Sequence, residues 1–247
     1  MLELDGRFNR AGEGHQSERL NLRRTETALL LVDVYYDDQE QGHWGPPDDP
    51  LTTDLRAMED AIAAALAAAR AASLPVVYAT NSAPRVGLQH SAFGRHFRRS
   101  WGGDFNQVFA EGGVDAREYH QGDRTAPLKF PPRLAPAPGE LYLRKHVYSA
   151  FFDTRLHTAL GNLGVRALVC AGLWANVCMA ATALDALYRN YEVIWLRDGT
   201  LAGYGDTDRW VAWFEETVGF TVGSAEFIAA CERTARQVDA STQVAGQ

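Results

Sequence analysis

No stretch of this sequence reaches the roughly 18 consecutive apolar residues that a membrane-spanning helix needs, so no membrane association is expected. The N-terminus, M-L-E-L-D-G-R-F-N-R, lacks a basic head followed by an apolar stretch, and no secretory signal is read there. Cysteine is scarce. Three in 247 residues is an odd number that makes no disulfide framework and fits a reducing, cytoplasmic setting. Positive charge is outnumbered, with 24 Lys and Arg against 31 Asp and Glu and a net charge of −7, which argues against nucleic acid as a partner. There is no internal repeat and no sign of a second domain. The 46% hydrophobic content is enough to bury one full core.

Apolar runs alternate with helical patterns, which predicts a single α/β domain: three layers, α/β/α, around a mainly parallel, Rossmann-like sheet. Thr27–Val32 (T-A-L-L-L-V) reads as a central strand buried on both faces. Asp54–Ser73 is an alanine-rich helix with Thr53 as N-cap, and Leu74–Thr80 is the next strand. Leu141–Leu143 and Val165–Cys170 are further strands. A helix over Thr154–Leu163 stops at Gly164, and a small-residue helix runs from the Cys178 turn to Asn190. Glu192–Leu196 is a strand closed by a turn at Asp198-Gly199-Thr200, followed by helices over Asp208–Thr217 and Ser224–Gln237. Residues 1–24 read as a polar surface arm, 25–237 as the domain, 82–138 as an insertion or lid within it, and 238–247 as a frayed tail.

Three residues stand just past strand ends. Asp33 follows Thr27–Val32, Lys145 follows Leu141–Leu143, and Cys178 lies in the first turn of the helix after Val165–Cys170. Ligands of open α/β sheets bind outside the carboxyl ends of the strands, so one crevice can collect all three. A helix N-terminus offers unpaired N–H groups and the positive end of the dipole, which favour a thiolate and an oxyanion. Taken singly, Asp33 is also a turn residue, Lys145 a surface cation and Cys178 a small core hydrophobe. The other cysteines read as structural, Cys170 inside a strand and Cys231 on a terminal helix.

The segments A-L-L-L-V-D at Asp33, R-K-H-V-Y-S-A-F-F-D-T at Lys145 and G-L-W-A-N-V-C-M-A-A-T-A-L-D-A at Cys178 resemble the isochorismatase-like cysteine hydrolase superfamily over roughly residues 25–225. That group includes nicotinamidases, N-carbamoylsarcosine amidases, and ureidoacrylate and biuret hydrolases; Y-S-A-F-F-D-T is most similar to the last two. The resemblance implies a C–N amidohydrolase with Asp33 as general base, Cys178 as nucleophile through a thioester, and Lys145 lowering the thiol pKa and holding the carboxylate. It also implies a cis bond between Leu173 and Trp174, with the Trp174 and Cys178 N–H groups as oxyanion donors. Tyr35, Asn81 and Tyr148 are the expected substrate-binding residues. The implied partner is a small molecule, and a homodimer or homotetramer is expected.

The sequence departs from the family pattern in three places. Trp174 and Ala175 replace Ala and Thr, and the larger Trp174 either walls the pocket or packs outward. Tyr35 stands where relatives often carry an amide, which suggests a flatter or more apolar substrate. Val76–Arg85 lacks the D-x-H pair with which nicotinamidases bind a divalent ion, and His90 and His96 have no carboxylates at ligand spacing, so neither metal nor cofactor is expected. Asn81 occupies that strand end and is expected to meet a carbonyl or carboxylate. The insertion holds Arg85, Arg95, Arg98, Arg99 and Arg124 among Trp101, Phe105, Phe109 and Tyr119, and an arginine from it is a candidate for a substrate carboxylate. Two rival functions stay open. One is vinyl-ether cleavage of the isochorismatase type, which proceeds without a nucleophilic cysteine. The other is a non-catalytic protein, hinted at by the altered Trp174-Ala175 turn.

Overall fold

A computed structural model describes residues 1–35, 44–81, 91–101, 130–203 and 205–245. Among these, eight strands form one sheet in the order β2-β1-β8-β7-β6-β3-β4-β5. The strands are β1 (Leu2–Arg10), β2 (Gly14–Leu22), β3 (Thr27–Val32), β4 (Val76–Asn81), β5 (Leu141–Lys145), β6 (Ala167–Leu173), β7 (Glu192–Leu201) and β8 (Phe220–Val222). From β5 across to β8 every pairing is parallel. The helices are α1 (Pro50–Ala71), α2 (Ala92–Trp101), α3 (Leu156–Asn162), α4 (Ala180–Leu187), α5 (Thr207–Thr217) and α6 (Ser224–Ala245).

The three layers follow from strand alternation. In β3, Leu29 and Leu31 point to one face and join Leu55, Ile62 and Phe227 of α1 and α6. Ala28, Leu30 and Val32 point to the other and meet Leu156, Ala183 and Phe214 of α3, α4 and α5. A strand covered on both faces has no polar side to show, hence the unbroken apolar run. Cys170 and Cys231 are buried in these two cores, one on each face.

Several elements differ from expectation. Residues 1–24, read as a polar surface arm, add two strands to the sheet. β1 and β2 form an antiparallel hairpin registered from Leu2↔Leu22 to Arg10↔Gly14, and Arg7↔Thr221 joins it to the sheet edge. Leu2 and Leu4 are fully buried, alternating with Glu3 and Asp5 as a one-sided strand must. Helix α1 begins at Pro50, with Asp49 accepting the Leu51 N–H at 2.9 Å; proline's fixed φ suits the first helical position and starts the helix before Thr53. Asp198-Gly199-Thr200 stays inside β7. Asp198 there accepts the Ser224 N–H at 2.8 Å and so caps α6, while the Thr200 hydroxyl donates to the Gly172 carbonyl at 2.7 Å. Helix α6 continues to Ala245, through the stretch expected to fray.

One glycine fixes the spacing of the central strands. Gly172 has φ 129°, and a Cβ there would lie 1.9 Å from the Val32 carbonyl oxygen, so no larger residue fits between β6 and β3.

Candidate active site

Asp33 leaves β3 in the left-handed region at φ 52°, which a short polar side chain tolerates better than a branched one. Strand β4 holds it there. The Asp33 N–H donates to the Ala79 carbonyl at 2.9 Å, and Asp33 Oδ1 accepts the Asn81 N–H at 2.9 Å. Lys145 is the last residue of β5, paired with Asn81, so the strand runs two residues past the expected end. Its side chain is fully buried. Nζ lies 2.9 Å from Asp33 Oδ2 and 3.2 Å from Cys178 Sγ, reaches the Val147 carbonyl at 3.4 Å, and donates to Asn81 Oδ1. Cys178 belongs to a π-helical turn over Ala175–Met179 that leads into α4 and is itself buried. A π-turn widens the helix and is frequent at functional sites. The peptide bond between Leu173 and Trp174 is cis.

Burial dominates the electrostatics. It raises the Asp33 carboxyl above the usual 3.8, against the opposing pull of Lys145. It pushes the Cys178 thiol up to about 12, and the ammonium of Lys145 only partly offsets this. Burial alone would lower Lys145, but Asp33 and Cys178 outweigh it and leave the lysine above its ordinary value. Lys145 lowers the thiol pKa, as expected of it, but burial raises it by more, because a dry site disfavours charge. Such a thiol reacts only when a neighbouring base takes the proton. Asp33, beside both Lys145 and Cys178, is the neighbouring carboxylate, raised above its ordinary value by burial.

The remaining expected residues divide. Asn81 turns both polar ends into the protein: Oδ1 accepts from Lys145 and Nδ2 donates to the Tyr35 hydroxyl at 2.8 Å. A lysine can only donate, so this contact fixes the amide's orientation. Asn81 therefore holds Lys145 and Tyr35, another of the expected substrate-binding residues, in one hydrogen-bonded set. Tyr148 packs edge-on against Phe93 of α2 with ring centres 5.0 Å apart. It borders a cavity of about 460 Å³ between His96 and Ser100 on one side and Val177, Ala180 and Leu184 on the other. Cys178 is not among the residues lining that cavity; its walls begin one residue away. The Trp174 ring lies over Gly203, where a Cβ would come within 3.0 Å of it, and is not among the cavity walls. The Asn176 side chain accepts the Gly203 N–H at 2.9 Å, a tie that sequence reasoning missed although an Asn two residues before the cysteine is a natural turn-fixing residue.

His96 is exposed at the cavity rim, and among the described residues no three His, Cys, Asp or Glu side chains gather as metal ligands. Of the insertion, Arg95 and Arg99 are exposed on α2. Arg85, His90, Phe105, Phe109, Tyr119 and Arg124, with the side chains of Arg98 and Trp101, lie outside the described residues. No described helix is long and apolar enough to cross a membrane.

A family model described as the Isochorismatase domain matches residues 27–225, a span that begins with β3 and takes in Asp33, Lys145 and Cys178. The chain belongs to the isochorismatase family. Among isochorismatase-family relatives it is 26% identical over 204 residues to the ureidoacrylate amidohydrolase RutB of Rhizobium rhizogenes, covering 74% of this chain and 73% of that one. The corresponding protein of Stutzerimonas stutzeri is 28% identical over 204 residues, with 74% and 73% covered. A cysteine hydrolase from Pseudomonas syringae superposes with a TM-score of 0.66 at 24% identity, covering 87% of this chain and 97% of that one. N-carbamoylsarcosine amidase from Thermoplasma acidophilum does so with a TM-score of 0.58 at 26% identity, with 81% and 96% covered.

Proposed function

We propose that this protein is a cysteine-dependent amidohydrolase that cleaves a C–N bond of a small amide, carbamoyl or ureido compound and needs no metal. The observation that carries the reading is the fully buried Lys145 ammonium, 2.9 Å from Asp33 and 3.2 Å from Cys178. The names of the relatives, which act on ureidoacrylate or N-carbamoylsarcosine, support the choice of bond.

In this mechanism Asp33 takes the Cys178 proton as Sγ bonds to the substrate carbonyl carbon. The carbonyl becomes a tetrahedral oxyanion held by the Trp174 and Cys178 N–H groups, the kind of contact that contributes about 10²–10³ in rate. Asp33 then passes its proton to the leaving nitrogen as the C–N bond breaks, releasing ammonia or an amine and leaving a thioester on Cys178. Water, deprotonated by Asp33, attacks the thioester; the C–S bond breaks, the acid leaves, and the sulfur regains its proton. Lys145 stays charged throughout and balances the negative charge as it moves between carboxylate and sulfur.

The test is ammonia release from a panel of small amides, ureas and N-carbamoyl acids, comparing the wild type with Cys178→Ser. Release that collapses in the variant supports the reading and names the substrate class. Release that persists in the variant overturns it.

A further inference from the structure

Two of the sequence segments that surround the site residues are bonded to each other by side chains with no part in the proposed chemistry. On the segment after β5, the Ala150 N–H donates to the Thr182 hydroxyl at 3.0 Å, and the Ser149 hydroxyl donates to Asp185 Oδ2. Ser149 also accepts the Phe151 N–H at 3.1 Å. On the other side of the joint, Arg189 braces Asp185 through Oδ1 at 2.8 Å and lies over the Phe151 ring at 5.2 Å.

Thr182 and Asp185 follow Cys178 by four and seven residues, which places them on the same helical face as the sulfur, one and two turns along. Four residues of chain separate Lys145 from Ala150, and among them the Val147 carbonyl reaches Lys145 Nζ at 3.4 Å. The strand end carrying the ammonium and the helix carrying the thiol are thus joined twice within a few residues of Nζ and Sγ. We propose that Thr182 and Asp185 are positioning residues, fastening the segment after Lys145 to the cysteine helix and keeping Nζ and Sγ at bonding distance. This rests on the amidohydrolase reading above.

Ala150 belongs to neither helix nor strand, and a hydroxyl answers its backbone N–H. Thr182 is almost fully buried, so removing that hydroxyl leaves a buried donor unmet. The segment must shift to find another acceptor, and it takes the Val147 carbonyl with it. Displacement of a catalytic group by about 1 Å is enough to cost about 100-fold in rate.

The experiment compares Thr182→Val, Thr182→Ser and Asp185→Ala with wild type. Three readouts are taken: kcat and KM on the amide the panel identifies, melting temperature, and the pH profile of Cys178 alkylation by iodoacetamide with the Cys178→Ser background subtracted. Thr182→Val is expected to lower kcat about tenfold or more with KM within about twofold and to change the alkylation profile. Thr182→Ser, which keeps the hydroxyl, restores most of both. Asp185→Ala changes both readouts in the same direction and serves alone if Thr182→Val does not fold. A folded Thr182→Val or Asp185→Ala with a lower melting temperature but unaltered kcat and alkylation profile overturns the proposal and leaves the contacts merely structural. Alkylation needs no substrate, so a wild type silent on every amide sinks the amidohydrolase reading while the alkylation profile still tests the fastening.

Discussion

Two buried carboxylates in this fold meet cations in opposite ways. Glu215, on α5, has a fully buried side chain, yet its partners reach in from solvent. Arg7, 2.7 Å from Oε1, and His15, 3.2 Å from Oε2, are 41% and 51% exposed. Asp33 faces Lys145, whose side chain exposure is zero, with Cys178 buried beside them. The first arrangement takes one charge out of water and ties the N-terminal hairpin to the body. The second takes out both members of the pair, at several kcal/mol of desolvation per ion. A protein that needs only to fasten strands has no use for the second arrangement, and the sheet edge shows that this one can make the first. What the buried lysine adds is an ammonium 3.2 Å from a buried thiol.

The comparison breaks most sharply at the sulfur. Cys178→Ser should lower amide hydrolysis by about 1000-fold or more, measured as ammonia release, while Arg7→Met leaves that rate unchanged. Next in size is the loss of one partner from the buried pair. Lys145→Met should destabilise by about 3–5 kcal/mol in urea unfolding, because Asp33 is left with an unpaired buried charge. The double variant Lys145→Met with Asp33→Asn should regain much of that stability and none of the activity. Arg7→Met should cost no more than about 1 kcal/mol, since its partly exposed head is already solvated. Equal losses at Lys145 and Arg7 would erase the distinction between the two sites.

The pH dependence sharpens the same contrast. The proposed mechanism needs Asp33 as carboxylate, and burial raises its pKa above 3.8. Activity should therefore fall with decreasing pH at a midpoint above that value, read from kcat/KM. The sulfur should show no low-pH thiolate: with the thiol raised to about 12, alkylation of the free enzyme should keep rising with alkalinity past pH 9. A plateau near pH 7 would mean that Lys145 outweighs burial.

The sequence makes some of these features legible and leaves others hidden, for physical reasons. Thr27–Val32 announces a doubly covered strand through its unbroken apolar run, so Asp33 is legible as a strand-end residue, and the same reasoning reaches Lys145 and Cys178. The fully parallel centre of the sheet follows from the same alternation of strand and helix. The hairpin is harder to see: Leu2, Leu4, Leu20 and Leu22 are few among charged neighbours, although their spacing of two is a strand signal. Asp198-Gly199-Thr200 looks like a turn because turn residues also serve as caps and close contacts, and only the neighbouring Ser224 and Gly172 decide between them. The orientation of Asn81 depends on its register opposite Lys145, which no local pattern encodes. The thiol pKa is hidden for the same reason. Charge at a helix start is visible in sequence, while the depth of burial that overrides it is not.

Gly172 sets the gauge of the site. Val32, whose carbonyl oxygen a Cβ at position 172 would approach to 1.9 Å, is the residue before Asp33, and the turn bearing Cys178 begins three residues after Gly172. Any side chain there acts as a wedge between β3 and β6, driving Asp33 and Cys178 apart while leaving both side chains chemically intact. In the proposed mechanism, the reach of the proton transfer is thus set by a Cβ that position 172 does not have.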